Sequence, residues 1–191
     1  MAKLRKAVAY RRIERPYTRR SKYREKSFVK AKPSINIVRF DMGNLTRNFS
    51  YSVYLMADSD VQIRHNALES ARLTAVRRLQ PGVGKANYHM KMRVYPHHIL
   101  RENPLAAGAG ADRMSTGMKH SFGKVIGAAA QVRKGQPVFQ VDVEKTGIKA
   151  AKNAMRKASN KLPCDCRIMV EEKTGKGKGK VVEGAAEAAE A

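Results

Sequence analysis

Tryptophan is absent from this 191-residue chain, cysteine occurs twice, and 16 acidic residues face 39 lysines and arginines. Each scarcity excludes something. Two cysteines, Cys164 and Cys166, cannot build a disulfide framework. No stretch approaches the roughly 18–20 consecutive apolar residues that span a bilayer. No apolar segment follows the basic N-terminus, so no secretory signal is expected, and Glu14 and Glu25 argue mildly against an acid-poor transit peptide. No strong amphipathic basic helix carries aromatic anchors, which disfavours a membrane surface as partner. The shortage of acids leaves a formal charge of +23, a self-repulsion that calls for a polyanion. Nucleic acid is the polyanion that remains. At 42% hydrophobic residues the chain can still build one core of ordinary size.

The charge is uneven. Residues 1–30 hold twelve basic groups and two acids, a net of +10. Lys3, Arg5, Lys6, Arg11, Arg12, Arg15, Arg19, Arg20, Lys22, Arg24 and Lys26 are interleaved with Tyr10, Tyr17, Tyr23 and Phe28. Arginine pairs with phosphate in a bidentate fork, and a flat ring stacks on an unpaired base. Residues 1–33 therefore read as a basic, RNA-binding extension. At the other end, 173–191 alternates Gly with Lys and finishes in Ala and Glu, which reads as a disordered, low-complexity tail.

Between them, 34–172 reads as one α+β domain. Residues 34–40 and 49–56 suggest strands flanking a turn at 41–44. Ser59 to Gln62 resembles a capping box ahead of a helix stripe of Leu68, Ala71, Ala75, Val76 and Leu79, with Arg64, Arg72, Arg77 and Arg78 off it. Pro81-Gly82 is expected to end that helix. Tyr88, Met90, Met92 and Val94 then alternate with His89, Lys91, Arg93 and Tyr95, a half-buried strand with a basic outer face. The order recurs: strands at 125–132 and 137–143, a helix carrying Ile148, Ala151, Met155, Ala158 and Leu162, Pro163 as its stop, and a strand from Arg167. The predicted architecture is a two-layer α/β sandwich of order ββαβ, loop, ββαβ.

The loop, 100–124, has no apolar period and is punctuated by Gly108, Gly110, Gly117 and Gly123. A structureless segment this long is functional or a linker. Its glycines begin like a dinucleotide fingerprint, but Arg113 occupies the third glycine position and no helix stripe follows. No Gly-Lys-Ser/Thr closes a phosphate loop. Cys164 and Cys166 would share a strand face, yet no second ligand pair stands at zinc-finger spacing, so no metal is expected. No catalytic constellation stands out, and no cofactor is expected.

Three stretches carry a resemblance: RPYTRRSKYREKSFVKAKPSINIVRFDMGN, MRVYPHHILRENPLAAGAGADRMSTGMKHSFGK and RKGQPVFQVDVEKTGIKAAKNAMRKASNKLP. From Arg12 through Glu172 the chain resembles the universal large-subunit ribosomal protein family called L-sixteen in bacteria and L-ten-e in archaea and eukaryotes, in its archaeal form. AGADR-x-x-TGM is the most specific match. The resemblance implies a cytoplasmic protein of the large ribosomal subunit, packed among rRNA helices with ribosomal-protein neighbours, near 5S rRNA and the A-site tRNA. It implies a loop tip at 109–118 directed at the tRNA acceptor arm and the peptidyl transferase centre, which assigns Gly108, Gly110, Asp112, Arg113, Thr116, Gly117, Met118 and Lys119 to that region. It implies no catalytic side chain, since the chemistry belongs to rRNA. The rival reading, a free nucleic-acid enzyme using the glycine loop, would require clustered acids or a complete phosphate motif.

Overall fold

Apolar side chains at helical spacing place two helices over a sheet in the computed structural model, which describes residues 5–14, 23, 33–103, 110, 123–173 and 180–182. Helix α1 (His65–Val83) buries Leu68, Ala71, Ala75 and Leu79; helix α2 (Ile148–Ser159) buries Ala151, Ala154, Met155 and Ala158. The strands are β1 (Asp41–Gly43), β2 (Tyr51–Ala57), β3 (Val61–Arg64), β4 (Tyr88–Met92), β5 (His98–Glu102), β6 (Lys124–Val132), β7 (Pro137–Val143), β8 (Cys166–Glu172) and β9 (Lys180–Val182). The α+β expectation holds. None of these helices is long and apolar enough to cross a membrane.

Among the described residues, six strands form one antiparallel sheet in the order β1-β4-β7-β2-β8-β9, and three form another, β3-β6-β5. In the larger sheet, β2 and β7 are central neighbours. From β2 the chain passes through β3 and α1 to β4, beyond β7; from β7 it passes through α2 to β8, beyond β2. Each crossover joins strands that run parallel with one strand between them, a connection too long for a hairpin and filled here by a helix. The observed order, β1-β2-β3-α1-β4-β5 followed by β6-β7-α2-β8-β9, departs from the expected ββαβ repeat; what recurs is a split β-α-β unit, β2-α1-β4 and β7-α2-β8, interleaved around the β2–β7 pair. The helices pack on each other and on this sheet. Val53, Leu55, Met90, Phe139 and Val141 join the helix stripes in one core. Each fully buried Val, Leu, Met or Phe side chain there contributes about 1.5–3 kcal/mol.

The sheet also holds a buried polar group. Asp142 in β7, 5% exposed, is directly opposite Ser52 of β2 and His89 of β4. Its carboxylate accepts hydrogen bonds from Ser52 Oγ at 2.6 Å and Gln140 Nε2 at 2.9 Å. Lys173 Nζ is 2.9 Å away, and His89 Nδ1 is 3.5 Å away.

Several boundaries differ from expectation. Residues 34–40, expected to be a strand, form none, and the paired strand is Asp41–Gly43, where a turn was expected. The apparent capping box is instead the entry to β3, whose residues pair with β6; α1 starts at His65 without a side-chain cap. Pro81 lies inside α1, and the helix ends at Gly84, where φ is +86°. The proline's missing N–H would have served Arg77, so the loss falls within the helix's closing turns. Arg72 is buried rather than on an outer face, with its charge met by Glu69 at 2.5 Å. The strand expected at 88–95 ends at Met92, one residue before the Arg93 N–H donates to the Val138 carbonyl at 2.9 Å. Within 173–191, read from the sequence as a disordered tail, Lys180–Val182 pairs with β8.

Candidate nucleic-acid interface

The basic extension begins as a folded element. Gln62 in β3 and Gln131 in β6 are register partners. Their side-chain amides reach to the extension: Gln62 Nε2 donates to the Tyr10 carbonyl and Gln131 Nε2 to the Glu14 carbonyl, each at 2.8 Å. The Gln62 backbone N–H donates to the Arg11 carbonyl at 2.8 Å. Arg64 Nη1 donates to the Arg5 carbonyl at 2.8 Å, and its guanidinium lies 5.7 Å from the Tyr10 ring centroid. Arg5 is ion-paired with Glu102, which also accepts from the Tyr10 hydroxyl at 3.4 Å. The hydrogen bond and then the charge of Glu102 hold the Arg5 guanidinium above its usual pKa. With the backbone so held, Lys6, Arg11 and Arg12 remain exposed, and none has an acidic partner among the described residues.

A second basic face runs along β4 and beyond it. Lys91, Arg93, Tyr95 and His97 are exposed, while the intervening Met92, Val94, Pro96 and His98 are buried. Period-two alternation therefore continues past the paired strand. Lys91 lies 4.0 Å from Asp41, and Arg93 has no acidic partner among the described residues. The Tyr95 ring stacks on Phe40, with centroids 5.3 Å apart, and sits 4.5 Å from the His97 ring. Burial holds His98 below the usual histidine pKa, partly opposed by the charge of Glu14.

A third face belongs to α2. Its sequence, IKAAKNAMRKAS, contains no acid. Lys149, Lys152 and Arg156 recur at spacings of three and four, which aligns them along one helix side. All three are exposed and have no acidic partner among the described residues. Nearby, a cavity of about 1070 Å³ is bordered by Arg11, Arg12, Asp60, Asn160, Cys164 and Cys166. The two sulfurs are 3.7 Å apart. Their mutual hydrogen bond lowers the Cys164 pKa and, with burial, raises that of Cys166. Among the described residues no group of three or more potential metal ligands exists.

The long loop proves to be the connection of a hairpin. β5, not anticipated from the sequence, pairs with β6 from His98 opposite Ala129 to Glu102 opposite Lys124. Gly123 closes the base with φ +77°; a Cβ there would meet the Glu102 carbonyl carbon at 2.5 Å. Arg101 Nη1 donates to the Gly123 carbonyl at 3.1 Å.

Comparison with known proteins gives this geometry its context. The family model described as "Ribosomal protein L16p/L10e" matches residues 14–169. The chain belongs to this family. It is 48% identical over 149 residues to the large ribosomal subunit protein uL16 of Methanocella arvoryzae, covering 78% of this chain and 87% of that one. It is 47% identical over 167 residues to the protein of the same name in Methanococcus maripaludis, covering 87% and 94%. With the Methanococcus aeolicus protein it shares 43% over 175 residues, covering 91% and 95%. The resemblance to the archaeal form is thereby borne out, and this L16p/L10e member is a structural rather than an enzymatic protein.

The described residues place Arg5, Lys6, Arg11 and Arg12 on a segment bonded to β3, β6 and β5 of the smaller sheet, and Lys91 and Arg93 on the separate β4 face. Tyr23 is 62% exposed. Lys3, Arg15, Tyr17, Arg19, Arg20, Lys22, Arg24 and Lys26 lie outside the described residues, as do Gly108, Asp112, Arg113, Thr116, Gly117, Met118 and Lys119. Gly110, with φ +76°, has nothing within 4 Å of a Cβ position. The sequence reading left Arg39, Tyr95 and His97 off the interface, although the alternation that exposed Lys91 and Arg93 extends through both rings.

The base of the hairpin gives a direct expectation for this L16p/L10e chain. Gly123→Ala should destabilise the protein by about 1–3 kcal/mol, because a left-handed φ and a backbone clash act at once. Denaturant unfolding of the two proteins measures it, and an unchanged midpoint would show that the hairpin base relaxes freely.

Proposed function

We propose that this protein is a structural constituent of the cytoplasmic large ribosomal subunit that binds large-subunit rRNA near 5S rRNA, the A-site tRNA and the peptidyl transferase centre. In this reading 34–172 is a single two-layer α/β sandwich domain, the 1–33 extension and the β4 face grip rRNA, and the 100–124 loop reaches the tRNA acceptor arm. Neighbouring ribosomal proteins complete its surroundings.

The observation that carries the proposal is exposed positive charge, without acidic partners among the described residues, on three separate elements of a family member. An RNA held on several sides neutralises such charges, and a single concave site does not. Phosphate contacts release counterions, so affinity falls steeply with salt. Replacing Arg11, Arg12, Arg15, Arg19, Arg20, Lys22, Arg24 and Lys26 with glutamine keeps the backbone bonds to Gln62 and Gln131. It should flatten the log–log salt slope of rRNA binding by about 5–7 if each residue neutralises one phosphate. A slope equal to that of the native chain would remove the extension from the interface. Sucrose-gradient sedimentation supplies the cellular readout: the protein should stay with large subunits through a high-salt wash.

A further inference from the structure

The aromatic end of the β4 face has a chemistry that positive charge does not explain. Tyr95 is 38% exposed, although a ring of that size gains most when buried. Its ring stacks on Phe40 at 24° between planes and lies against His97 at 46°. Phe40 itself packs against the hydrophobic core, so the stack is anchored. His97 is itself exposed. On the same strand face stand Arg93 and Lys91, and Arg39 is exposed next to Phe40. A rigid, partly exposed ring stack flanked by cations matches the needs of one nucleotide: a π-face for the base and positive charge for the phosphates beside it. A fixed ring also loses little freedom on binding. A duplex offers no free base face except at its ends, so the preferred ligand is single-stranded.

We propose that Tyr95 and His97 form a stacking site for an unpaired RNA base, with Arg93 and Lys91 engaging the adjoining phosphates. This deepens the RNA-binding reading and rests on it. The site recognises a base by its face, so it tolerates any base sequence and selects for an unpaired nucleotide.

The test uses the full chain with a short single-stranded RNA and a duplex long enough that its two ends are a negligible share of its binding sites, compared at equal phosphate concentration over a range of salt. Tyr95→Leu should weaken single-strand binding by at least about 5-fold while leaving its salt slope unchanged, because stacking releases no counterions. Tyr95→Phe should stay within about 2-fold, since the π-face is retained. Arg93→Ala should instead flatten the slope by about 0.7. Duplex affinity should not respond to Tyr95→Leu, and a thermal melt checks that the variant remains folded. Native-like single-strand binding by folded Tyr95→Leu, or equal losses for single strand and duplex, would overturn the stacking site while leaving the RNA-binding reading in place. A native chain that binds neither RNA would overturn both.

Discussion

Asp142→Ala should cost this protein about 2–4 kcal/mol of stability, more than most surface changes by a wide margin. The carboxylate is almost fully buried in a sheet strand and is the shared acceptor of Ser52, Gln140 and Lys173. Removing it leaves the buried Ser52 hydroxyl and Gln140 amide without that acceptor. Lys173 is 43% exposed and can return to water, which keeps the figure below the upper end seen for buried pairs. Burial alone would raise the Asp142 pKa, but the hydrogen bonds from Ser52, Gln140 and Lys173, with the lysine charge, outweigh it and hold the group below its usual value. A carboxyl whose pKa is depressed by folding stabilises the native state above its unfolded pKa, near 3.9, and loses that contribution as pH falls through the folded value. Asp142→Asn retains an acceptor oxygen but cannot titrate. Its stability should therefore fall less steeply than that of the native chain below about pH 4. Circular-dichroism melts of the three proteins between pH 7 and pH 2 would show this, and parallel native and Asn profiles would remove Asp142 from the acid transition.

How much of this was legible in the sequence depended on whether a signal was local. The helix stripes were mostly legible because burial on a helix repeats within a few residues: Ala151, Met155 and Ala158 are all fully buried, while Leu162, expected on the same stripe, lies past the helix end at Ser159 and Val76 is half-buried. Strands β2 and β7 alternate or carry a continuous apolar run between turns, and were found within two residues. What failed depended on distant partners. Ser59 to Gln62 has the residue types of a cap, but β6, some 70 positions away, recruits 61–64 into a sheet. His98, Ile99 and Leu100 are all buried, so β5 has no alternation to betray it. Its pairing with β6 converts an apparent start of loop into half a hairpin. The same holds for the interface. Local charge density identified the extension, but not that Gln62 and Gln131 hold part of it in place, nor that Glu102 takes up Arg5. Tyr95 was read as one more outward residue because its stacking partner, Phe40, comes from another segment.

The hairpin makes the loop separable from the fold. Deleting 109–118, where only Gly110 is among the described residues, should leave the native unfolding midpoint nearly unchanged. The pairs from His98–Ala129 to Glu102–Lys124 lie outside the deletion, and so do Gly123 and its bond from Arg101. Half of the connection between Asn103 and Gly123 would remain, and shortening a connection by half changes its closure cost by only about 0.6 kcal/mol. rRNA affinity should also persist, because the extension, the β4 face and α2 keep their charges. The large effect should appear in translation. In the proposed placement the deleted tip supports the acceptor arm of A-site tRNA, so large subunits reconstituted with the shortened protein should bind A-site tRNA weakly and form peptide bonds slowly. Arg113→Ala should give a milder defect, one charge-assisted hydrogen bond of about 1.5–3 kcal/mol at most. The comparison must be made at equal occupancy of the protein on the subunit, which separates a local defect from failed assembly. Native tRNA binding and native peptidyl transfer in fully occupied subunits would reduce 109–118 to a connection between β5 and β6. A selective loss with intact assembly would identify the tip as the part of this protein that meets tRNA.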